Sequence, residues 1–299
     1  MPVTTGSFSE LIEPGLSAVF YTDLKLAPFQ AEQLLNVRES GKHTEDDLTL
    51  GGLDTMPELG EGSPISYYSP SQGYKKIYTH VQYGMGYSIT RVMYDDDLYG
   101  MVGREASQKL ARSGKKCFEA VCANLFNNGF SSLYTGADGV ALFSTSHPLL
   151  NGSTDANKPS TDCDLSLTTL ENAVTEFRGF LDDTGAKCAI SPRILLVPPG
   201  EQFNAEKLVG SQKDPESAEN AINPLYNKLQ VVVYDFLTDT DAWFLLAAKT
   251  DHKGKIYWRK RATFESDDDF STGNALFKST MRFSVGWSDW RGFYGTSGA

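Results

Sequence analysis

The stretch Asp95–Gly129, DDDLYGMVGREASQKLARSGKKCFEAVCANLFNNG, decides how the rest of the chain is read. Leu98, Met101, Val102, Leu110, Cys117, Phe118, Val121, Cys122, Leu125 and Phe126 recur mostly three or four apart, with Lys109, Arg112, Lys115 and Lys116 between them. That is the period of an amphipathic helix with one buried stripe and one wet face. Asp95, Asp96 and Asp97 put negative charge where unpaired N-terminal amides attract it, and Asn128-Gly129 supply a stop. The predicted helix has roughly 31 residues and a length of about 46 Å. Only a long, flat body needs such a spine. Gly100, Gly103 and Gly114 each weaken a helix by about 1 kcal/mol relative to Ala, so close backbone contact or bending is expected there. Leu125→Asp, a charge on the apolar stripe, is expected to break folding.

Upstream, residues 1–57 hold no sustained period. Phe8, Leu11, Ile12, Phe20 and Tyr21 are spread among Pro14, Gly15, Pro28, Gly41 and Gly51-Gly52, so this part reads as an irregular arm. From Glu58 to Tyr87 the text is rich in Tyr, Pro, Gly and Ser, with Tyr67, Tyr68, Tyr74, Tyr78, Tyr83 and Tyr87. Strand-forming residues on either side of Ser69–Gly73, a turn signal, predict a long β-hairpin. Almost no Leu or Phe lies in it, so it must rest on another surface.

Downstream, a Gly, Ser and Asn loop covers about 131–162. A second amphipathic helix then carries Leu167, Leu170, Val174, Phe177, Phe180 and Leu181, with Thr168 and Glu171 as its capping box and Gly185 as its exit. Three short buried strands, Arg193–Pro198, Leu229–Tyr234 and Ala242–Ala248, with a helix near 200–210, make the block 165–250 a compact α/β unit. Alternation from Phe277 through Ser279, Met281, Phe283, Val285 and Trp287 predicts a long half-buried strand.

Composition narrows the function. The 299 residues carry 27 Lys and Arg against 38 Asp and Glu, a net charge of −11. With 40% hydrophobic residues a real core is available, and intrinsic disorder is excluded. A dedicated nucleic-acid binder needs clustered cations, which this balance disfavours. The longest purely apolar run, Ala242–Ala248, is far short of a membrane span, and no Lys or Arg precedes Lys25, so neither a transmembrane helix nor a secretory start is read and a cytosolic protein is expected. Cys117, Cys122, Cys163 and Cys188 read as reduced thiols, and Asn151-Gly-Ser153 as a turn.

The search for catalytic motifs is largely negative. His43, His80, His147 and His252 sit on separate segments without ligand spacing, so no metal and no cofactor is expected. Ser144, Ser146 and His147 lie together before Pro148, but adjacent loop residues rarely align as nucleophile and base. Glu265 with Asp267–Asp269, and Asp239 with Asp241, are candidate hard-cation ligands, though acidic runs are mostly solvated loops. Lys75-Lys76 beside Tyr74 and Tyr78 offer bases and rings for single strands, a weak signal at this net charge. Trp287 and Trp290 read as core. A scaffold without a catalytic centre is built to be touched by neighbours.

Four separate motifs in order, DDLYGMVGREASQKLARSG (96–114), ADGVALFSTSHPLLNGST (137–154), LLVPP (195–199) and MRFSVGWSDWRGFYG (281–295), resemble the major capsid proteins of tailed bacteriophages, and among them the Mu-like major head subunits. The similarity runs from about residue 20 to 298. It implies an α+β fold of the Hong Kong phage capsid type: an N-terminal arm at 1–57, an E-loop hairpin at 58–92, a peripheral domain with the spine helix at 93–164, an axial domain at 165–250, and a return to the peripheral domain at 251–299. It further implies a non-enzymatic subunit of the virion, assembled in the host cytoplasm as hexamers and pentamers into an icosahedral shell around double-stranded DNA, which it encloses without sequence-specific binding. Portal, scaffold, maturation protease and decoration proteins are the implied partners, with no membrane contact, and the scaffold is expected as a separate chain. Tyr67, Tyr68, Tyr74, Lys75, Lys76 and Tyr78 are the expected subunit contacts, and deleting Ser66 to His80 is expected to leave a folded subunit that closes no shell. The family's founding member joins Lys to Asn with a Glu as proton acceptor. Lys75 or Lys76 would be the amine here, but no local motif matches the full set, so ordinary charged contacts are expected. A metal-dependent enzyme built around Asp267–Asp269 and an encapsulin-like cellular shell protein are the rival readings.

Overall fold

A computed structural model describes residues 9–299 except 27, 54, 66, 70, 97–100 and 215–220. Phe8, Asp97, Leu98, Gly100 and Ser66 therefore lie outside the described residues, as do the side chains of Leu11 and Ile12. In chain order the elements are α1 (Ser9–Lys25), α2 (Gln30–Leu34), β1 (Asn36–Glu39), β2 (Thr44–Leu50), β3 (Gln72–Thr79), β4 (Val81–Ile89), α3 (Arg91–Asp96) and α4 (Met101–Asn127). There follow β5 (His147–Pro148), β6 (Thr154–Asp155), α5 (Leu167–Phe177), β7 (Pro192–Val197), α6 (Gln202–Gly210), β8 (Gln230–Val233), β9 (Trp243–Ala247), β10 (Gly254–Asp269), β11 (Asn274–Trp287) and β12 (Phe293–Thr296). They form two compact units, one of residues 1–44, 79–122 and 256–284, the other of 45–78, 123–255 and 285–299. Charge divides unevenly between them. Of the 38 acids 24, and of the 27 bases 13, fall in the second unit, which leaves 14 of each in the first, so the net charge of −11 belongs to the second alone.

In the first unit a sheet of order β1-β10-β11-β4 packs against α4. Phe118 stacks on Trp258 at 4.6 Å between ring centres and meets Phe283 at 5.0 Å and Phe29 at 4.8 Å. The expected alternation of β11 holds from Phe277 through Ser279 and Met281 to Phe283, all buried, and breaks at Ser284, which is buried where Val285 is half-buried. The described part of the spine helix, Met101–Asn127, is 27 residues long, about 40 Å at 1.5 Å per residue. Asp95 and Asp96 lie in α3, and Asp97 and the residues that join α3 to α4 are outside the described residues, as is that part of the expected acidic start. At Gly103 an added Cβ would meet only side chains, Leu16 at 3.4 Å, an ordinary van der Waals contact, so the expected close backbone approach is not found there. Gly114 is different, with open space around it. Gly114→Ala is therefore expected to raise stability by about 0.5–1 kcal/mol in urea denaturation, since it relieves helix entropy without a clash.

The irregular arm is also corrected. Residues 9–25 form α1, whose Leu16 and Phe20, four apart, pack with Leu110, Ala111, Phe264 and Phe277, while Tyr21 and Leu24 complete the stripe. Pro14-Gly15 interrupt the sequence pattern, and tertiary burial outweighs that weak local propensity. A buried acid holds the next element. Glu119, on the inner face of α4, accepts hydrogen bonds from the backbone amides of Gln30 (2.6 Å) and Ala31 (3.1 Å) at the start of α2. A 16-residue strand, β10, passes unread in the sequence because Arg259, Lys260 and Arg261 are all exposed and break its alternation.

The second unit holds a sheet of order β12-β9-β7-β8, with β8 parallel to β7 and α6 in the crossover. The three expected strands are present and β9 is buried throughout. Its fourth strand, β12, comes from the C-terminal segment and pairs with β9, so residues 285–299 group with this unit. The capping box of α5 is Ser166 with Thr169, two residues earlier than the expected Thr168 with Glu171. Gly185 (φ +92°) serves the turn that Asp182 organises, well past the helix end at Phe177. Asp182 Oδ1 accepts from Thr184 N (2.8 Å), Thr184 Oγ1 (2.6 Å) and Ala186 N (2.9 Å). Burial pushes its carboxyl up, but these hydrogen bonds outweigh that and leave it below its ordinary value. Its stabilising contribution is thus fully present above about pH 4 and fades as pH falls through the depressed value. Asp182→Asn is expected to flatten that part of the acid-unfolding profile.

The hairpin needs the largest correction. β3 pairs with β2, and β4 pairs antiparallel with β11, Tyr83 opposite Met281 and Tyr87 opposite Phe277. The ribbon therefore consists of Thr44–Leu50 and Gln72–Thr79 joined by residues 51–71, in place of a hairpin over 58–92 that turns at 69–73. The reason lies in the tyrosines. Tyr83 stacks on Phe283 (5.1 Å) and Tyr87 on Phe277 (5.0 Å), so β4 has a core partner of its own.

Candidate assembly surface

The ribbon is patterned inside out. Strands place alternate side chains on opposite faces, and the inner face of a docked ribbon is normally apolar. Here the inner face carries Asp47, Thr49, Tyr74, Lys76 and Tyr78, while Leu48, Leu50 and Ile77 are 45, 69 and 54% exposed on the outer one. Polar bonds replace apolar packing beneath it. Asp47 binds both Lys255 and Ser288, and Ser288 Oγ lies 2.7 Å from Tyr78 Oη. Tyr78 is buried, its ring covering Gly286, where a Cβ would come within 2.9 Å. Lys76 Nζ donates to Thr135 O (2.6 Å) and sits 5.4 Å from the centre of the Trp287 ring, and burial draws its ammonium down from the usual lysine range. Tyr74 Oη donates to Pro148 O (3.3 Å), with burial and then Asp138 raising its phenol. Lys75, on the outer face, pairs with Asp46 at 2.6 Å.

Of the six residues expected as subunit contacts, Tyr74, Lys76 and Tyr78 are thus bound to their own chain, Lys75 is tied across the ribbon, and Tyr67 and Tyr68 stand out at 94 and 55% exposed. The connection between the strands supplies what sequence reading did not single out: Leu53, Met56, Leu59 and Ile65 are all exposed beside those two tyrosines. A turn at Gly60–Ser63, with Gly62 at φ +80°, shapes its tip. The signal was legible in Asp46-Asp47-Leu48-Thr49-Leu50, whose leucines share one strand face with Asp46. Because Tyr78 and His80 are buried, deleting Ser66 to His80 would open the core, which corrects the expectation of a folded product.

The chemical candidates resolve into structural roles. His147 is buried, with Nδ1 2.6 Å from Asp138 and Nε2 3.0 Å from Asn157, and it stacks on Trp290. Its ring is thereby turned to those partners, and Ser144 Oγ serves the amide of Ser146. Arg291 joins Asp183 (2.8 Å), Asp289 and Leu181 O, and burial raises the Asp289 carboxyl against the pull of Arg291. Glu265 pairs with Lys278 and Lys260, and Asp269 ties down the β10–β11 turn through Ser271 and Thr272. Among the described residues no group of three His, Cys, Asp or Glu is placed to hold a metal, and no helix is long and apolar enough to cross a membrane. Burial raises all four thiols, Cys188 to about 11.

The sequence model of a family described as phage capsid protein matches residues 73–295. No curated protein matches by sequence. Among solved structures, the fold is similar to the capsid of bacteriophage JBD30 decorated with minor capsid protein trimers, at TM-score 0.58 and 18% identity over 80% of this chain and 100% of that one. It is similar also to the capsid of Ralstonia phage GP4 (0.59, 10% identity, 89% and 87%) and to a virus-like particle from Pyrococcus furiosus (0.54, 10%, 95% and 99%). At such identities the likeness speaks for the fold.

Proposed function

The chain belongs to the phage capsid protein family, and we propose from that premise that it is the major head subunit, self-assembling as hexamers and pentamers into the icosahedral shell around double-stranded DNA. The first unit then serves as the peripheral domain and the second as the axial domain, with the ribbon of β2 and β3 as the E-loop. The role is structural, in the virion. Portal, scaffold, maturation protease and decoration proteins are its proposed partners, and the Mu-like head subunits its proposed subgroup. One observation carries the reading: a ribbon held to its own chain by polar bonds turns Leu48, Leu50 and Ile77 outward and continues into an exposed apolar connection. Burying such side chains is worth about 1.5–3 kcal/mol each, which a monomer forgoes and a shell recovers at every subunit. The same fold in a virus-like particle keeps a cellular shell in view, but the family match favours the phage head. Electron microscopy of the purified, concentrated protein tests this. Closed particles of uniform size are expected; a persistently monomeric chain would overturn it.

A further inference from the structure

We propose that Asn151 is a site of self-modification: the backbone nitrogen of Gly152 displaces its side-chain amide, and the residue ends as a mixture of aspartate and isoaspartate. The site is the turn that joins β5 to β6, and the argument does not depend on assembly. Leu149 N donates to Ser153 O (2.9 Å) and Gly152 N to Leu149 O (3.1 Å), which closes the turn. Gly152 has φ +84°, and a Cβ there would meet nothing within 4 Å, so the approach to its nitrogen is open. Residues 151–154 are all exposed, within reach of water and hydroxide. The decisive feature is on the amide itself. Asn151 Oδ1 accepts from Ser153 N (2.9 Å) and from Ser153 Oγ (2.6 Å), an Asx turn that folds the side chain back along its own backbone. Two donors on one carbonyl oxygen draw charge from Cγ and hold that oxygen where negative charge develops when a nucleophile adds.

The chemistry needs only water. Gly152 N–H leaves Leu149 O and gives its proton to hydroxide, and the nitrogen bonds to Asn151 Cγ while the Oδ1 oxyanion rests between Ser153 N and Oγ. Collapse breaks the Cγ–Nδ2 bond, Nδ2 takes a proton from water and departs as ammonia, and hydroxide is regenerated. A five-membered succinimide remains. Water opens it at the side-chain carbonyl to give aspartate, or at the main-chain carbonyl to give isoaspartate, and no atom changes oxidation state. Either product adds a negative charge to the second unit, beside the turn that Asp182 organises: Asn151 Nδ2 lies 3.0 Å from the Cβ position of Gly185. The other Asn-Gly bond, Asn128-Gly129, lacks this device. Gly129 N is held by Phe126 O (2.9 Å), Phe143 fills its Cβ position at 2.6 Å, and among the described residues no pair of donors serves the Asn128 amide oxygen.

Ageing the folded protein in warm, mildly alkaline buffer tests the site, with peptide mass spectrometry reading each asparagine and isoelectric focusing reading the added charge. Asn151 should convert at least about tenfold faster than Asn128, since it alone has both donors and an open nitrogen. In urea, where the turn is gone, the two should convert at similar rates. Ser153→Ala should slow Asn151 by about three- to tenfold, the worth of one hydrogen bond, and Ser153→Thr, which keeps the hydroxyl, should stay within about twofold of wild type. Ser153 is exposed, so the thermal midpoints of both variants should not move. Equal conversion of the two asparagines in the folded protein, a preference for Asn151 that persists in urea, or a Ser153→Ala protein that converts at the wild-type rate overturns the proposal.

Discussion

Leu125→Asp is expected to abolish folding. Leu125 is 6% exposed on α4, and the next residue, Phe126, reaches Phe244 at 5.4 Å and Phe293 at 6.5 Å in the second unit. Truncating a buried leucine costs about 2–5 kcal/mol, and an unpaired carboxylate in the same space adds a desolvation penalty of several more. The total approaches the whole stability of an ordinary domain, about 5–15 kcal/mol. Circular dichroism should show no cooperative transition. Ala120→Asp on the exposed side of the same helix is the control, with a change within about 0.5 kcal/mol. A Leu125→Asp protein that melted near the wild-type midpoint would mean that this stripe does not face the core.

Replacing residues 53–69 by a Gly-Ser tract of equal length is expected to separate folding from assembly. β2, β3 and the bonds of Asp47, Lys76 and Tyr78 are untouched, so the subunit should keep its thermal midpoint. What is lost is the exposed apolar set of Leu53, Met56, Leu59, Ile65, Tyr67 and Tyr68. Closed particles should fall below about one hundredth of the wild-type yield, because a loss of some 3 kcal/mol per contact is repeated around the shell. The Ser66–His80 deletion gives a different outcome, an unfolded chain, since it removes Tyr78 from Ser288 and His80 from its place between Ser40 and Ser284. A Gly-Ser variant that still closed normal particles would exclude the connection from subunit contact.

The comparison of sequence and structure follows the range over which each signal acts. The spine helix, the strands of the second unit and the alternation of β11 were legible because a single period, 3.6 or 2, runs through each of them. α1 was not, since Pro14-Gly15 blur its pattern and its helical state is decided by Leu16 and Phe20 meeting Phe264 and Phe277, more than two hundred positions along the chain. The capping of α2 by Glu119 escaped for the same reason, its donor and acceptor being 88 positions apart. Half of the expected contact set, Tyr74, Lys76 and Tyr78, looked available because tyrosine and lysine are usually wet, and only the fold supplied Pro148, Thr135 and Ser288 as their partners.

By itself, then, the sequence determined the elements with an internal period, the absence of any familiar catalytic motif, and the ordered motifs that resemble phage head subunits. Tertiary structure alone decided that β3 pairs with β2 and β4 with β11, that the last strand joins the second sheet, and which face of the ribbon stays exposed. A period is a property of adjacent residues and survives in one dimension. Strand partnership is a competition among distant segments for the same hydrogen bonds, and stacking of Tyr83 and Tyr87 on β11 settles it only once the chain has folded.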